Sequence, residues 1–399
     1  MTNRRDKERP RVFSWLGDLS AMRVFLQQKP WLSVWGPVKI TNSVLRSLGV
    51  IAFANNPLTG LLILVGMFVG NPSVGYAALL TGSIAVLTSK ALGAPDGLVC
   101  DGVTVFNSVL MGCVVTAVFP HTQLTADDAL HYWLAIAAAS VITCYVDLGL
   151  NALMAPTGLP AQSLAFNFVA AVGLLAVRGK QLGHGLHDVT AAAAEAAAAD
   201  AAFNATSNSL YAPEDHNVDW FKVMEGTVLA VGEVYGVGSM TPSILIWLGF
   251  LLYSPILSCC FYVGSLIGCC MGVVLSPGPL SQVYAGLWGY NSLLVAGGLS
   301  YFLRPSLNML AAVTIGALMT VFVQAAVLPL FLQTEVPVFS FPFNIVVITV
   351  LAIGTQKGTA LTFLVDRSFH EQHLYEAYCG PSQVQDCADT DLERNLNAS

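Results

Sequence analysis

Charge is what this sequence has least of. Asp, Glu, Lys and Arg make up 10% of its 399 residues, against about 25% in soluble domains. None falls between Gly49 and Ser89, and none between Val234 and Leu303. Such runs exclude an ordinary soluble surface, and they exceed the roughly 20 residues that cross a bilayer core as a helix. The alternating polarity of a membrane β-barrel is also missing. So are the usual marks of an enzyme. No histidines cluster at metal-ligand spacing, and no nucleophile is paired with a base in a known pattern. No basic stripe suits nucleic acid, and no metal or cofactor is expected. What remains is 55% hydrophobic, with a mean hydropathy of +0.66. The composition points to an all-α polytopic membrane protein, with the lipid bilayer as its surroundings and the cell membrane as its expected location.

The net charge of −7 says little about partners, because much of the acid sits in the termini and a central linker. The basic start, MTNRRDKERPR, is not followed at once by an apolar stretch, so no cleaved signal peptide is expected. Its positive charge favours a cytoplasmic N-terminus. Cys259, Cys260, Cys269 and Cys270 stand in apolar sequence without Cys-x-x-Cys spacing and read as small packing residues. Cys379 and Cys387, in the polar tail, receive no role.

A pattern recurs along the chain. GVIAFANNPLTGLLILVGMFVGNP from Gly49 matches GEVYGVGSMTPSILIWLGFLLYSP from Gly232. Gly49 pairs with Gly232, Gly66 with Gly249 and Pro72 with Pro255, each 183 residues apart. GVTVFNSVL from Gly102 pairs with GLWGYNSLL from Gly286 at 184, and LPAQSLAFNF from Leu159 with VPVFSFPFNI from Val336 at 177. The conserved order predicts two related membrane halves, 40–177 and 222–356. A segment at 1–39 precedes them and an alanine-rich polar linker, 178–221, joins them. A polar tail, 357–399, follows and is expected to be partly disordered.

Each half offers about five spans. An odd number turns the second half upside down relative to the first. Inverted repeats of this kind place transport sites near the midplane, where helices break. Both halves carry such a break, at Pro160 and at Pro337, with Ser163 and Asn167 or Ser340 and Asn344 beside it. Irregular backbone at that depth is tolerated where it lines a cavity. The same count places the linker outside the cell. Its Asn204-Ala-Thr sequon is then available for glycosylation, while Asn397 would lie inside and idle. Glu233 borders a long uncharged run, and an acid there is a candidate for function. Asp147, with no polar partner recognised in the other half, reads as a packing or interfacial acid.

LPAQSLAF and VPVFSFPF resemble the repeated signature of the urea transporter family, Leu-Pro-x-x-Thr-x-Pro-Phe, with serine in place of threonine in both. NNPLTGLLILVGMFVGNP, GVTVFNSVLMG and YAGLWGYNSLL are similar to the same family. The resemblance covers nearly all of both halves. It implies two inverted repeats of about five transmembrane helices each, plus a re-entrant half-helix, with a pore between the repeats and three subunits in a homotrimer. It implies passive, channel-type passage of urea. Other small neutral solutes (an amide, ammonia or water) and a proton-coupled transporter using Glu233 are the alternatives.

The resemblance also assigns residues. The Gln/Glu position of the narrow sites falls on Glu233 in the second half and on Val50 in the first. The aromatic three residues later is Phe53, with Gly236 opposite. The aromatic before asparagine is Phe106 or Tyr290. Ser163 and Ser340 take the central threonine positions. Urea is planar and neutral, so a slot for it needs acceptors for its N–H groups, a donor for its carbonyl and flat apolar walls. These residue types supply all three.

Overall fold

The computed structural model describes residues 17–119, 126–185, 218–276, 279–334, 336–356, 358–364 and 367–378. Asn204, Cys379, Cys387, Asn397 and the basic N-terminal stretch lie outside them. Among the described residues there are sixteen α-helices and no strand. The first eight are α1 (Ser20–Gln27), α2 (Gly36–Val50), α3 (Pro57–Gly70), α4 (Pro72–Ala91), α5 (Asp96–Cys100), α6 (Phe106–Val118), α7 (Ala126–Met154) and α8 (Leu164–Gly185). The others are α9 (Trp220–Glu233), α10 (Met240–Tyr253), α11 (Pro255–Leu275), α12 (Ser281–Tyr284), α13 (Tyr290–Phe302), α14 (Leu307–Gln333), α15 (Phe341–Gly354) and α16 (His370–Tyr378).

Proline starts helices here more often than it breaks them. Its missing N–H costs nothing at a first turn. Asn56, Asn71 and Ser254 each precede a proline, and their side chains accept backbone N–H groups of α3, α4 and α11. Pro72 and Pro255 match along the sequence because each opens the long fourth or eleventh helix.

Four helical stretches are long and apolar enough to cross a membrane: Pro72–Ala91, Asp128–Thr157, Pro255–Leu275 and Leu307–Gln333. Five shorter apolar helices accompany them. α7 and α14 run along the outside, with Leu130, Leu134, Ile142, Ile315 and Phe322 more than half exposed. So much exposed aliphatic surface suits lipid rather than water. Inside, small residues bring backbones together. Thr59 Oγ1 of α3 donates to the Gly249 carbonyl of α10 at 2.7 Å, joining the two halves.

Part of the tail is ordered. Residues 367–378 pack against the helices, with Phe369, His370 and His373 almost fully buried. Glu371 accepts from Ser254 Oγ and from the Ile256 amide, so it caps the start of α11. Short polar sequence looks disordered until its partners, contributed by distant helices, are known.

Candidate functional site

α2 and α9 end in the same way. Ala54 N–H donates to the Gly49 carbonyl and Phe53 N–H to that of Val50. In the second half, Val237 donates to Gly232 and Gly236 to Glu233. Both are Schellman closures, which need a left-handed residue just past the helix. That residue is Phe53 (φ 63°) in one half and Gly236 (φ 72°) in the other. A Cβ on Gly49 would lie 1.9 Å from the Ala54 carbonyl oxygen, so the returning chain demands glycine there. A Cβ on Gly236 would lie 2.5 Å from Ala117, which leaves no room for a second phenylalanine. Val50 and Glu233 thus occupy equivalent places on the last turns of α2 and α9.

The two broken segments meet. Ser163 and Ser340, just before α8 and α15, share a hydrogen bond of 2.7 Å between their hydroxyls. Asn344 Oδ1 accepts the Ser163 amide and Asn167 Oδ1 accepts the Ser340 amide. Asn344 Nδ2 donates to Ser163 Oγ and to the Ser340 carbonyl; Asn167 Nδ2 donates to Ser340 Oγ and to the Ser163 carbonyl. Each helix is therefore capped by an asparagine of the other. This satisfies buried N–H groups that a helix start leaves orphaned, and it sets two helix N-termini against each other.

A second ring of bonds holds the residue before each serine. Gln162 and Phe339 are both left-handed, at φ 52° and 50°. Asn107 Nδ2 donates to the Gln162 carbonyl and Asn291 Nδ2 to the Phe339 carbonyl. Asn107 also donates to Asp147 Oδ1 at 2.8 Å, and Asn291 to Gln324 Oε1 at 3.1 Å. Asp147 and Gln324 stand 177 residues apart, the offset of the broken segments themselves. This corrects the reading of Asp147 as an acid without a counterpart. Acid and amide look unrelated in sequence, and both act here as acceptors for the same asparagine.

Two cavities lie on either side of the serine pair. The first, about 540 Å³, is lined by Val50, Phe53, Phe106, Gln162 and Ser163 among others. The second, about 430 Å³, is lined by Glu233, Tyr290, Phe339, Ser163 and Ser340 among others. Ile51, Ser163 and Phe343 face both. All seven membrane residues singled out from the sequence thus border one cavity or the other. Phe53 belongs to an aromatic group, with ring centroids 5.6 Å from Tyr301 and 6.2 Å from Phe343. Tyr290 combines two tasks: its ring lines the second cavity and its hydroxyl donates to the Phe339 carbonyl. Gly238 makes room for the Glu233 carboxylate, since a Cβ there would lie 1.6 Å from Oε1.

The serine hydroxyls are engaged with each other and with asparagines, as are the carbonyls of Gln162 and Phe339. They shape the junction more than they offer open acceptors. Sequence reasoning missed Gln162, Gln324 and Tyr301; applying the 177-residue offset to Asp147 would have found Gln324. Among the described residues no group of three or more His, Cys, Asp or Glu is arranged to hold a metal ion.

Comparison with known proteins adds an independent observation. A family model described as "Urea transporter" matches residues 41–355. The chain is 25% identical over 355 residues to "Urea transporter 1" of Ovis aries, covering 86% of this chain and 83% of that protein. The same identity and coverage hold for "Urea transporter 1" of Capra hircus and of Rattus norvegicus.

Proposed function

Because the chain belongs to the urea transporter family, a family of transporters rather than enzymes, we propose that it is a passive channel for urea across the cell membrane. In this reading the halves 40–177 and 222–356 are inverted repeats, and the two cavities form one path between them. The reciprocal capping of Ser163 and Ser340 by Asn344 and Asn167 carries the proposal. Such mutual exchange at a helix break is what two copies of one unit, related by a two-fold axis, would make.

The chemistry follows from the parts. Urea leaving water must exchange its hydrogen bonds for equivalents in a narrow space. The Glu233 carboxylate accepts N–H groups in the second cavity. Flat rings of Phe53, Phe106 and Tyr290 bound a slot that a planar molecule can enter and a hydrated ion cannot. The N-termini of α8 and α15 meet at the junction, so their partial positive charges disfavour cations there. Three subunits, each with its own path, are the proposed assembly.

The alternative of another small neutral solute draws on Val50, which offers no acceptor where the family has Gln or Glu. Proton coupling through Glu233 finds less support. Among the described residues lining the two cavities, Glu233 is the sole carboxylate, so a proton relay lacks a second station. The test is urea flux into liposomes holding the purified protein. Urea should equilibrate at the same rate with and without a proton gradient. Accumulation that occurs only when protons are supplied would contradict the channel.

Topology has its own test. With a cytoplasmic N-terminus and five spans before the linker, Asn204 faces outward and carries glycan in a glycosylating host. Asn204→Gln should abolish a mobility shift on a gel. Cleavage of the linker by a protease confined to the cytoplasmic side would contradict this orientation.

A further inference from the structure

We propose that Gln162 is a solute-binding residue of the first cavity, supplying there the hydrogen-bonding side chain that Val50 lacks. The proposal rests on reading the two cavities as one urea path. Gln162 adjoins Ser163, at the inner end of the first cavity. Its counterpart, 177 residues on, is Phe339, which lines the second cavity together with Glu233. The two backbones are alike: both are left-handed, and an asparagine holds each carbonyl.

The side chains, however, are exchanged between the halves. The first half has an apolar residue at the end of α2, Val50, and a polar one before the serine, Gln162. The second has a polar residue at the end of α9, Glu233, and an apolar one before the serine, Phe339. Each cavity therefore holds one side chain of the Gln/Glu kind, reached by a different route.

Two further observations favour a binding role. A left-handed backbone is costly for a long side chain, and glycine or asparagine would fit it more easily, so Gln162 is not there to ease the turn. Moreover, Gln162 lines the cavity without a protein hydrogen bond to fix its side chain, since its buried Nε2 finds no partner. The other amides of this cavity are each tied at one end: Asn55 Oδ1 accepts from Arg46, and Asn151 Nδ2 donates to Asp147. The carbonyl end of the Gln162 carboxamide, on a residue that lines the cavity, suits an N–H edge of urea. Its Oε1 accepts a urea N–H, one bond that replaces a bond to water. Any small planar amide presents the same edge.

The test compares three variants in the liposome flux assay. Gln162→Met keeps the volume and removes both polar atoms, so urea flux should fall about tenfold. Gln162→Phe copies the residue that the same backbone conformation carries at Phe339, so it folds, and its flux should fall at least as far. Adding Val50→Gln to Gln162→Met returns an amide to the same cavity and should recover most of the loss. Wild-type flux through Gln162→Met, at normal yield and elution volume, overturns the proposal, as does a loss that Val50→Gln leaves untouched. A wild-type protein that carries no urea at all would instead bring down the channel reading, and this one with it.

Discussion

Urea flux through Glu233→Ala should fall by roughly five- to a hundredfold, because urea N–H groups that have shed water would meet no acceptor, at about 1–3 kcal/mol. Glu233 ends α9 and faces the second cavity, with Gly238 leaving space for its carboxylate. Glu233→Gln keeps an oxygen acceptor in the same place and should stay within a few-fold of wild type. Leu61, on the exposed face of α3, is the control; Leu61→Ala should barely change the rate. An unaltered rate in Glu233→Ala that folds and elutes normally would reduce Glu233 to an interfacial acid.

Asn344→Leu should damage the fold itself. Asn344 is fully buried. It donates to Ser163 Oγ and the Ser340 carbonyl and accepts the Ser163 amide. Leucine preserves the bulk but strands the Ser163 amide, and it takes one bond each from Ser163 Oγ and the Ser340 carbonyl, which keep Ser340 Oγ and the backbone N–H of residue 344. With about 1–3 kcal/mol for the stranded amide and about 0.5–1.5 kcal/mol for each of the two lost bonds, the total is on the order of 2–6 kcal/mol. The expected readout is a thermal unfolding temperature lower by roughly 5–10 °C, with flux lost as the junction loosens. Asn167→Leu should behave alike, and the double variant should fall short of the sum, since both belong to one network. An unchanged melting temperature in Asn344→Leu would mean that this exchange does not hold the halves together.

The C-terminal segment shows how far local reading reaches. His370 Nε2 pairs with Ser300 Oγ at 2.9 Å, and burial, helped by the neighbouring His373, pushes its pKa down to about 3. Nothing near residue 370 in the sequence announces Ser300, so composition alone does not say which part of the tail packs. The Asp147–Gln324 correspondence was hidden for a related reason: an acid and an amide share a task only once Asn107 and Asn291 are seen to donate to them.

Whatever depends on near neighbours along the chain was legible in the sequence. Uncharged apolar runs announce membrane helices because a buried helix satisfies its own backbone within a few residues. The paired glycines of the duplicated stretches, Gly49 and Gly232, mark turns that close within six residues. The meeting of Ser163 with Ser340, the crossed asparagine caps and the two cavities beside them belong to the tertiary structure alone. Hydrogen bonds across 173–181 residues form only after the halves have packed, and no local pattern states the angle at which they do so. The exchange of Val50 and Glu233 for Gln162 and Phe339 has the same origin. Single positions were free to differ between the halves because each cavity draws its lining from both a helix end and a broken segment.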